Sequence, residues 1–128
     1  PLSDLVSDSE SGAVEGVLAL GWASAEGLEA LAPLRSLDTV VSLSSHVGAL
    51  PAVASIAIPV ADTFEIAGSF VNDKSMTQAF KPVLSAPPGI EPAWRTVADL
   101  AGALGKDLGF GDLDGLRKEL SDTAEAAQ

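Results

Sequence analysis

Cysteine is absent from this 128-residue sequence, and histidine occurs once. Without thiolates the chain itself can form no disulfide, no cysteine-ligated iron–sulfur cluster, no thiolate zinc site and no cysteine nucleophile. A single histidine leaves almost no room for a histidine-rich metal site. We therefore expect no redox centre and no bound metal in this chain.

Positive charge is also scarce: seven Lys and Arg stand against eighteen Asp and Glu, a formal net charge of −11. Such a surface repels a phosphate backbone or an anionic membrane, which argues against nucleic-acid binding and direct membrane contact. The longest apolar stretches, Val17 to Ala25 and Val47 to Ala61, contain Gly, Pro or Ser and fall short of a membrane span. No basic region precedes an apolar run, so we expect no signal peptide, and the start at Pro1 suggests a fragment.

Hydrophobic residues make up 47% of the sequence, enough to build one domain. Helical leucine spacing from Ser24, a potential N-cap, to Leu34 predicts a helix, and a brief helix is predicted at 47–54. Three short apolar or β-branched runs predict buried strands: Val14–Trp22, Asp38–Ser44 and Ile56–Pro59. Strands alternating with helices favour a parallel sheet with right-handed crossovers.

The pattern changes after the third strand. Extended segments at 68–71 and 76–83 flank Asn72 to Ser75 and predict a hairpin or an irregular arm. A helix is expected from Glu91 to Gly105, with Pro92 in its first turn, and a last helix follows Asp112. The predicted fold class is α/β: a short three-strand parallel Rossmann-like layer with helices, an extended arm or hairpin, and two C-terminal helices.

Two groups of polar residues invite a catalytic or metal-binding interpretation. Ser44 or Ser45, His46 and Asp62 could act as nucleophile, base and orienting acid, but no nucleophile-elbow glycine pattern surrounds either serine. We favour a histidine that caps a strand end or lies exposed on a loop. Asp62 and Glu65 could act together in general acid–base catalysis or could bind a hard cation, but two ligands are too few for a calcium ion. A solvated loop is the favoured interpretation.

An ordered set of short motifs is more telling than the composition. It comprises Ala54-Ser55-Ile56-Ala57-Ile58-Pro59, Glu65, Gly68-Ser69-Phe70-Val71-Asn72, Gln78, Glu91-Pro92-Ala93-Trp94 and Leu104-Gly105. Over residues 14–105 this set resembles the C-terminal part of the 75-kDa-type subunit of NADH–quinone oxidoreductase, respiratory complex I. More broadly it resembles the molybdopterin oxidoreductase family, which reads A-D-V-V-L-P, then E-x-x-G-T-F-x-N-x-E-G-R-x-Q, then an acidic-Trp helix ending in Leu-Gly.

The sequence departs from that family where the catalytic relatives approach the pterin. Ser55 replaces the Asp before the third strand, and Asp73-Lys74-Ser75 replaces the acidic-Gly-Arg portion, so the arginine is gone. The resemblance therefore implies the complex I branch, with a retained fold and no molybdenum chemistry. The iron–sulfur clusters of the parent subunit would lie outside this chain, which itself would carry no catalytic residue, metal or cofactor.

The resemblance implies a structural domain that takes part in electron transfer from NADH to quinone only through the parent respiratory complex. One alternative is a pocket-lining fragment of a molybdopterin-dependent oxidoreductase, with a lining of Glu65, Gly68, Ser69, Asn72 and Gln78. A second alternative is an independent acidic protein-interaction module.

The expected organisation is a flexible segment at 1–13, a molybdopterin-oxidoreductase-like α/β domain at 14–105, and an acidic C-terminal helix at 106–128. Partners would be other domains of the same subunit and other complex I subunits, at a cytoplasmic location peripheral to the inner membrane. Because residues 64–84 are apolar but irregular, we expect them to expose an apolar patch or to drive self-association of the isolated chain.

Overall fold

The computed structural model describes residues 2–21 and 28–126. Trp22, the potential cap Ser24 and Gly27 lie outside the described residues. The strands are β1 (Gly16–Leu20), β2 (Thr39–Ser44), β3 (Ile56–Pro59), β4 (Gly68–Val71) and β5 (Thr77–Phe80). The α-helices are α1 (Leu2–Glu10), α2 (Leu28–Leu31), α3 (Ala49–Val53), α4 (Ala93–Ala103) and α5 (Leu113–Ala126), and 3-10 helices span Ala32–Ser36 and Thr63–Glu65. The predicted α/β class is confirmed.

The chain divides into two compact units, residues 1–90 and 91–128. The predicted domain 14–105 spans parts of both units, and its boundary with 106–128 stays a prediction. None of the helices in the described residues has the length and apolar character needed to cross a bilayer.

In the first unit, β1, β2 and β3 form a parallel sheet in that order, so β2 is the central strand. β2 lies at the centre of the core because side chains on both of its faces are buried. Val40 and Leu43 are almost completely buried. The remaining buried apolar residues come from the 3-10 helix after α2, from α3, and from the chain that follows β3: Leu34, Ala49, Leu50, Val53, Val60 and Ala61.

The third strand is found at the predicted residues but not in the predicted environment. It pairs only with β2, which makes it an edge strand, and Ile56 is exposed while Ile58 is half-buried. The expectation of a buried third strand is therefore wrong, because no fourth strand covers its outer edge within the described residues. An apolar run of four residues cannot by itself distinguish a central strand from an edge strand.

Ser55 ties this edge strand to the centre of the sheet. Its hydroxyl donates to the carbonyl oxygen of Val40 at 3.0 Å and accepts from the N–H of Val40 at 2.9 Å. The backbone N–H of Ser55 also donates to the same carbonyl, at 2.9 Å. A short side chain that both donates and accepts suits this position, where the resembled family has aspartate.

The segment predicted to be flexible, residues 1–13, contains helix α1. Leucine and valine recur there at helical spacing, which the Ser- and Asp-rich composition obscured, and Asp4 lies in the first turn, where a carboxylate interacts favourably with the helix dipole. The helix packs against the 3-10 helix Ala32–Ser36, which anchors it to the first unit.

The second unit consists of α4, α5 and their connection. Helix α4 begins at Ala93, so Pro92 is its N-cap residue and not part of its first turn as expected. Asp112 caps α5 as predicted, since its carboxylate accepts from the N–H of Gly115 at 2.8 Å. The rings of Trp94 and Phe110 meet edge to face with centroids 6.3 Å apart.

The sheet provides a matched pair of leucines for testing the core. Leu20 and Leu43 are register partners on β1 and β2 and therefore point to the same face, yet Leu20 is 57% exposed and Leu43 only 1%. We expect Leu43→Ala to lower the free energy of unfolding by about 2–5 kcal/mol, because it removes buried methyl groups and leaves a cavity. Leu20→Ala should cost less than about 1 kcal/mol. Equal losses for the two variants in a urea titration would contradict β2 as the centre of the core.

Candidate functional site

A cavity of about 210 Å³ lies at the carboxyl ends of β2 and β3. Ligands of open parallel α/β sheets bind at this edge, because the loops that leave the strands diverge there and leave a crevice. The lining combines hydroxyl groups and an imidazole with apolar side chains: Ser42, Ser44, Ser45, His46, Val47, Pro51, Ala57, Ile58 and Pro59.

Three of the residues considered as a catalytic group contact one another at the cavity mouth. The hydroxyl of Ser45 lies 2.8 Å from Nδ1 of His46, and Nε2 of His46 lies 3.3 Å from Oδ2 of Asp62. The side chain of His46 is 56% exposed and that of Asp62 is 25% exposed. With a neutral imidazole, a carboxylate facing Nε2 favours the proton on that nitrogen, which leaves Nδ1 as an acceptor for the serine O–H.

The carboxylate of Asp62 is held in place by the turn that follows β3. Its Oδ1 accepts from the N–H of Phe64 at 3.2 Å, while the backbone N–H of Asp62 donates to Oε2 of Glu65 at 2.9 Å. This reciprocal capping box starts the 3-10 helix Thr63–Glu65. The pair is therefore neither a cation site nor a simple solvated loop, since both carboxylates serve the helix start and Asp62 also faces the imidazole.

Two further serines of β2 differ in how their hydroxyls are satisfied. The Ser44 hydroxyl donates to the carbonyl oxygen of His46 at 2.8 Å and accepts from the N–H of His46 at 3.3 Å, which fixes the loop backbone. Ser42 is 0% exposed, and its hydroxyl has no hydrogen-bond partner. A buried hydroxyl left without a partner costs about 1–3 kcal/mol.

The residues implied by the family resemblance occupy a different part of the first unit. Glu65 lies in the capping box, and Gly68 and Ser69 lie on β4. Asn72 follows β4, and Gln78 lies on β5 opposite Phe70. None of these five residues lines the cavity at β2 and β3.

The structure of the β4–β5 hairpin explains the identity of two of these residues, Gly68 and Asn72. A Cβ at Gly68 would come within 2.5 Å of the Phe80 ring, so glycine leaves room for that ring to stack on Phe70, with centroids 4.8 Å apart. Oδ1 of Asn72 accepts from the N–H groups of Lys74 and Met76, both at 2.9 Å. Both residues therefore build the hairpin whether or not a ligand binds.

The hairpin turn places one residue in a left-handed conformation. The N–H of Ser75 donates to the carbonyl of Asn72 at 3.0 Å, and Ser75 has φ +59°. A type I turn followed by a left-handed residue is a common hairpin connection, and glycine is the usual choice there.

Within the described residues, no cluster of three or more His, Asp or Glu side chains is arranged to hold a metal ion. The chain matches no protein family and no curated protein. The site must therefore be interpreted from its own geometry.

Sequence inspection identified Ser45, His46 and Asp62 but not their contacts, and it overlooked Ser42. A serine within the β-branched run of β2 is the signal that could have drawn attention to it, because an interior parallel strand otherwise favours apolar residues.

The left-handed turn residue generates a test of the hairpin. Ser75→Gly should raise the stability of residues 68–80 by about 1 kcal/mol, because glycine adopts φ near +60° without the steric cost that a side chain imposes. Amide hydrogen exchange in β4 and β5 should slow accordingly. The control Ser69→Gly, inside β4, should instead speed exchange. Faster exchange in Ser75→Gly would contradict the turn geometry.

Proposed function

We propose that the chain is a structural domain of the 75-kDa-type subunit in the peripheral arm of a respiratory NADH–quinone oxidoreductase. It takes part in electron transfer from NADH to quinone only through the parent complex, whose iron–sulfur clusters lie outside this chain. In that setting it is a cytoplasmic domain, peripheral to the inner membrane. The ordered set of motifs over residues 14–105 supports this proposal.

The observation that carries the proposal is an uncovered apolar face on a parallel sheet. Leu18, Leu20 and Ile56 lie on the same face as Leu43, yet these three are exposed while Leu43 is buried. Parallel sheets are almost always covered on both faces, because their strands are apolar on both. A chain that leaves the flanks of its sheet exposed is expected to pack against further protein.

The hairpin arm supports the same conclusion. Its base is closed where the N–H groups of Val83 and Leu84 both donate to the carbonyl of Phe64, at 2.9 and 3.0 Å. The arm nevertheless exposes several large apolar side chains: Phe64, Phe70, Val71, Met76, Val83 and Leu84. Several large exposed apolar side chains in one short segment favour protein–protein contacts, here with other domains of the same subunit and other complex I subunits.

The proposal assigns no cofactor to this chain. Asp73-Lys74-Ser75 stands where the family has its acidic-Gly-Arg portion, so the arginine that could pair with an anionic pterin group is gone. The alternative lining residues Gly68 and Asn72 are explained by the Phe80 ring and by the turn. A domain that keeps the fold and lacks the molybdopterin contacts is what the complex I branch requires.

Affinity purification tests the proposal. The natural protein that contains this chain, tagged and expressed in its own cells, should co-purify with the peripheral-arm subunits of NADH–quinone oxidoreductase in near-stoichiometric amounts, as identified by mass spectrometry. Leu20→Asp combined with Ile56→Asp should reduce that recovery at least about tenfold, because two carboxylates would be buried without partners. The control Leu120→Asp places the same charge on an exposed position of α5 and should leave recovery unchanged.

Two results would overturn the proposal. One is a natural protein that purifies without any subunit of the respiratory complex, which would favour an independent acidic interaction module. The other is stoichiometric molybdenum and pterin in the purified protein, which would favour the pocket-lining alternative with Glu65, Gly68, Ser69, Asn72 and Gln78.

A further inference from the structure

We propose that Ser45 is an activated nucleophile that accepts acyl groups from small uncharged esters, with His46 as its general base and Asp62 as the positioning residue. This inference is independent of the role in a respiratory complex, because it rests only on the cavity at the carboxyl ends of β2 and β3. Its basis is a pair of contacts: the Ser45 hydroxyl is hydrogen-bonded to Nδ1 of His46, and Nε2 of His46 faces the Asp62 carboxylate at 3.3 Å.

The two contacts favour one tautomer. The Asp62 carboxylate lies 3.3 Å from Nε2 of His46 and favours the proton on that nitrogen, so Nδ1 carries the lone pair that faces the O–H of Ser45 at 2.8 Å. This is the arrangement in which an imidazole can take the serine proton, with the two ring nitrogens exchanged relative to the usual serine hydrolase. The nitrogen order does not alter the chemistry, because either ring nitrogen can serve as the base.

The supporting groups hold this arrangement from both sides. The capping box around Asp62 and Glu65 fixes the carboxylate after β3, and the two hydrogen bonds between Ser44 and the backbone of His46 fix the loop after β2. Both loops leave neighbouring strands of one sheet, so the nucleophile and the carboxylate are set by strand pairing and not by a flexible connection.

The cavity indicates the class of substrate. Its volume of about 210 Å³ is larger than the 150 Å³ that holds a benzene molecule, so a small ring or short acyl chain fits. Val47, Pro51 and Ile58 provide apolar contact. Since the chain carries a net charge of −11, an uncharged ester is favoured over an anion.

The proposed reaction balances in two steps. The Ser45 oxygen bonds to the ester carbonyl carbon as its proton moves to Nδ1 of His46. The carbon–oxygen bond to the leaving alcohol then breaks, and that alcohol takes the proton. Water adds to the acyl-serine in the second step, with His46 again as base, which releases the carboxylic acid and restores the serine.

Covalent labelling tests the inference in the full chain. An alkyl fluorophosphonate should form one adduct, located by peptide mass spectrometry at Ser45, and p-nitrophenyl butyrate should be hydrolysed with a burst of nitrophenol. Ser45→Ala should abolish both. His46→Gln should lower the labelling rate at least about 100-fold, since it removes the general base. The control Ser69→Ala, an exposed serine on β4, should react like the unaltered protein.

Two conservative variants separate reactivity from folding. Asp62→Asn keeps the acceptor for the Phe64 N–H but can donate to Nε2, which favours the opposite tautomer, so labelling should fall at least about tenfold while the melting temperature changes little. Nitrogen-15 NMR of the single histidine reports that tautomer directly. Ser42→Ala should leave stability unchanged or raised, because it removes an unpaired buried hydroxyl.

Ser45 adducts that form equally fast in His46→Gln, adducts spread over several serines, or no adduct at all would each overturn the inference. Because none of these measurements involves respiratory subunits, their failure leaves the proposed structural role untouched, and the reverse also holds.

Discussion

The pairing of β2 with β1 on one side and β3 on the other is the constraint on which the rest of this structure depends. β2 is the only strand of the three that is hydrogen-bonded along both edges within the described residues. Its apolar side chains therefore become the centre of the core, and its carboxyl end becomes the place where two loops meet. Register alone brings Ser44 opposite Pro59, so the residues that follow both strands must lie close together.

The same arrangement explains why the first unit is incompletely covered. In the described parts of the connections between these strands lie the small helices α2 and α3 and the 3-10 helix Ala32–Ser36, and the middle of the sheet is buried better than its flanks. The hairpin arm leaves the rings of Phe64 and Phe70 largely exposed. The flanks of the sheet and the hairpin arm therefore both expose apolar side chains. Contact with further protein would bury these side chains through the same hydrophobic effect that forms the core.

The cavity and the arm represent separate properties of one unit. At the cavity, strand register and a capping box bring a hydroxyl, an imidazole and a carboxylate into contact. The relevant property of the cavity is therefore its possible chemistry. On the arm, ring packing and turn geometry account for Gly68, Asn72 and Ser75. The relevant property of the arm is therefore its exposed apolar surface. These three residues therefore have folding reasons for their identity, whether or not the arm binds a ligand.

Sequence alone determined the local elements of this protein. The run Ile56–Pro59, the hairpin around Asn72 and the Asp112 cap were all predictable, because strand propensity, turn chemistry and capping act over a few neighbouring residues. Composition likewise determined that no cysteine chemistry is possible. Helix α1 was missed because a polar composition concealed its helical spacing.

Tertiary structure decided everything that depends on residues distant in the chain. Whether Ile56 is central or at an edge depends on how many strands pair, which a four-residue run does not encode. The contact between His46 and Asp62 joins two loops through the register of β2 with β3, and the clamp of Ser55 on Val40 crosses between the same strands. Sequence spacing gives the distance along the chain, whereas strand pairing sets the distance in space, and that is why the candidate site emerged only with the fold.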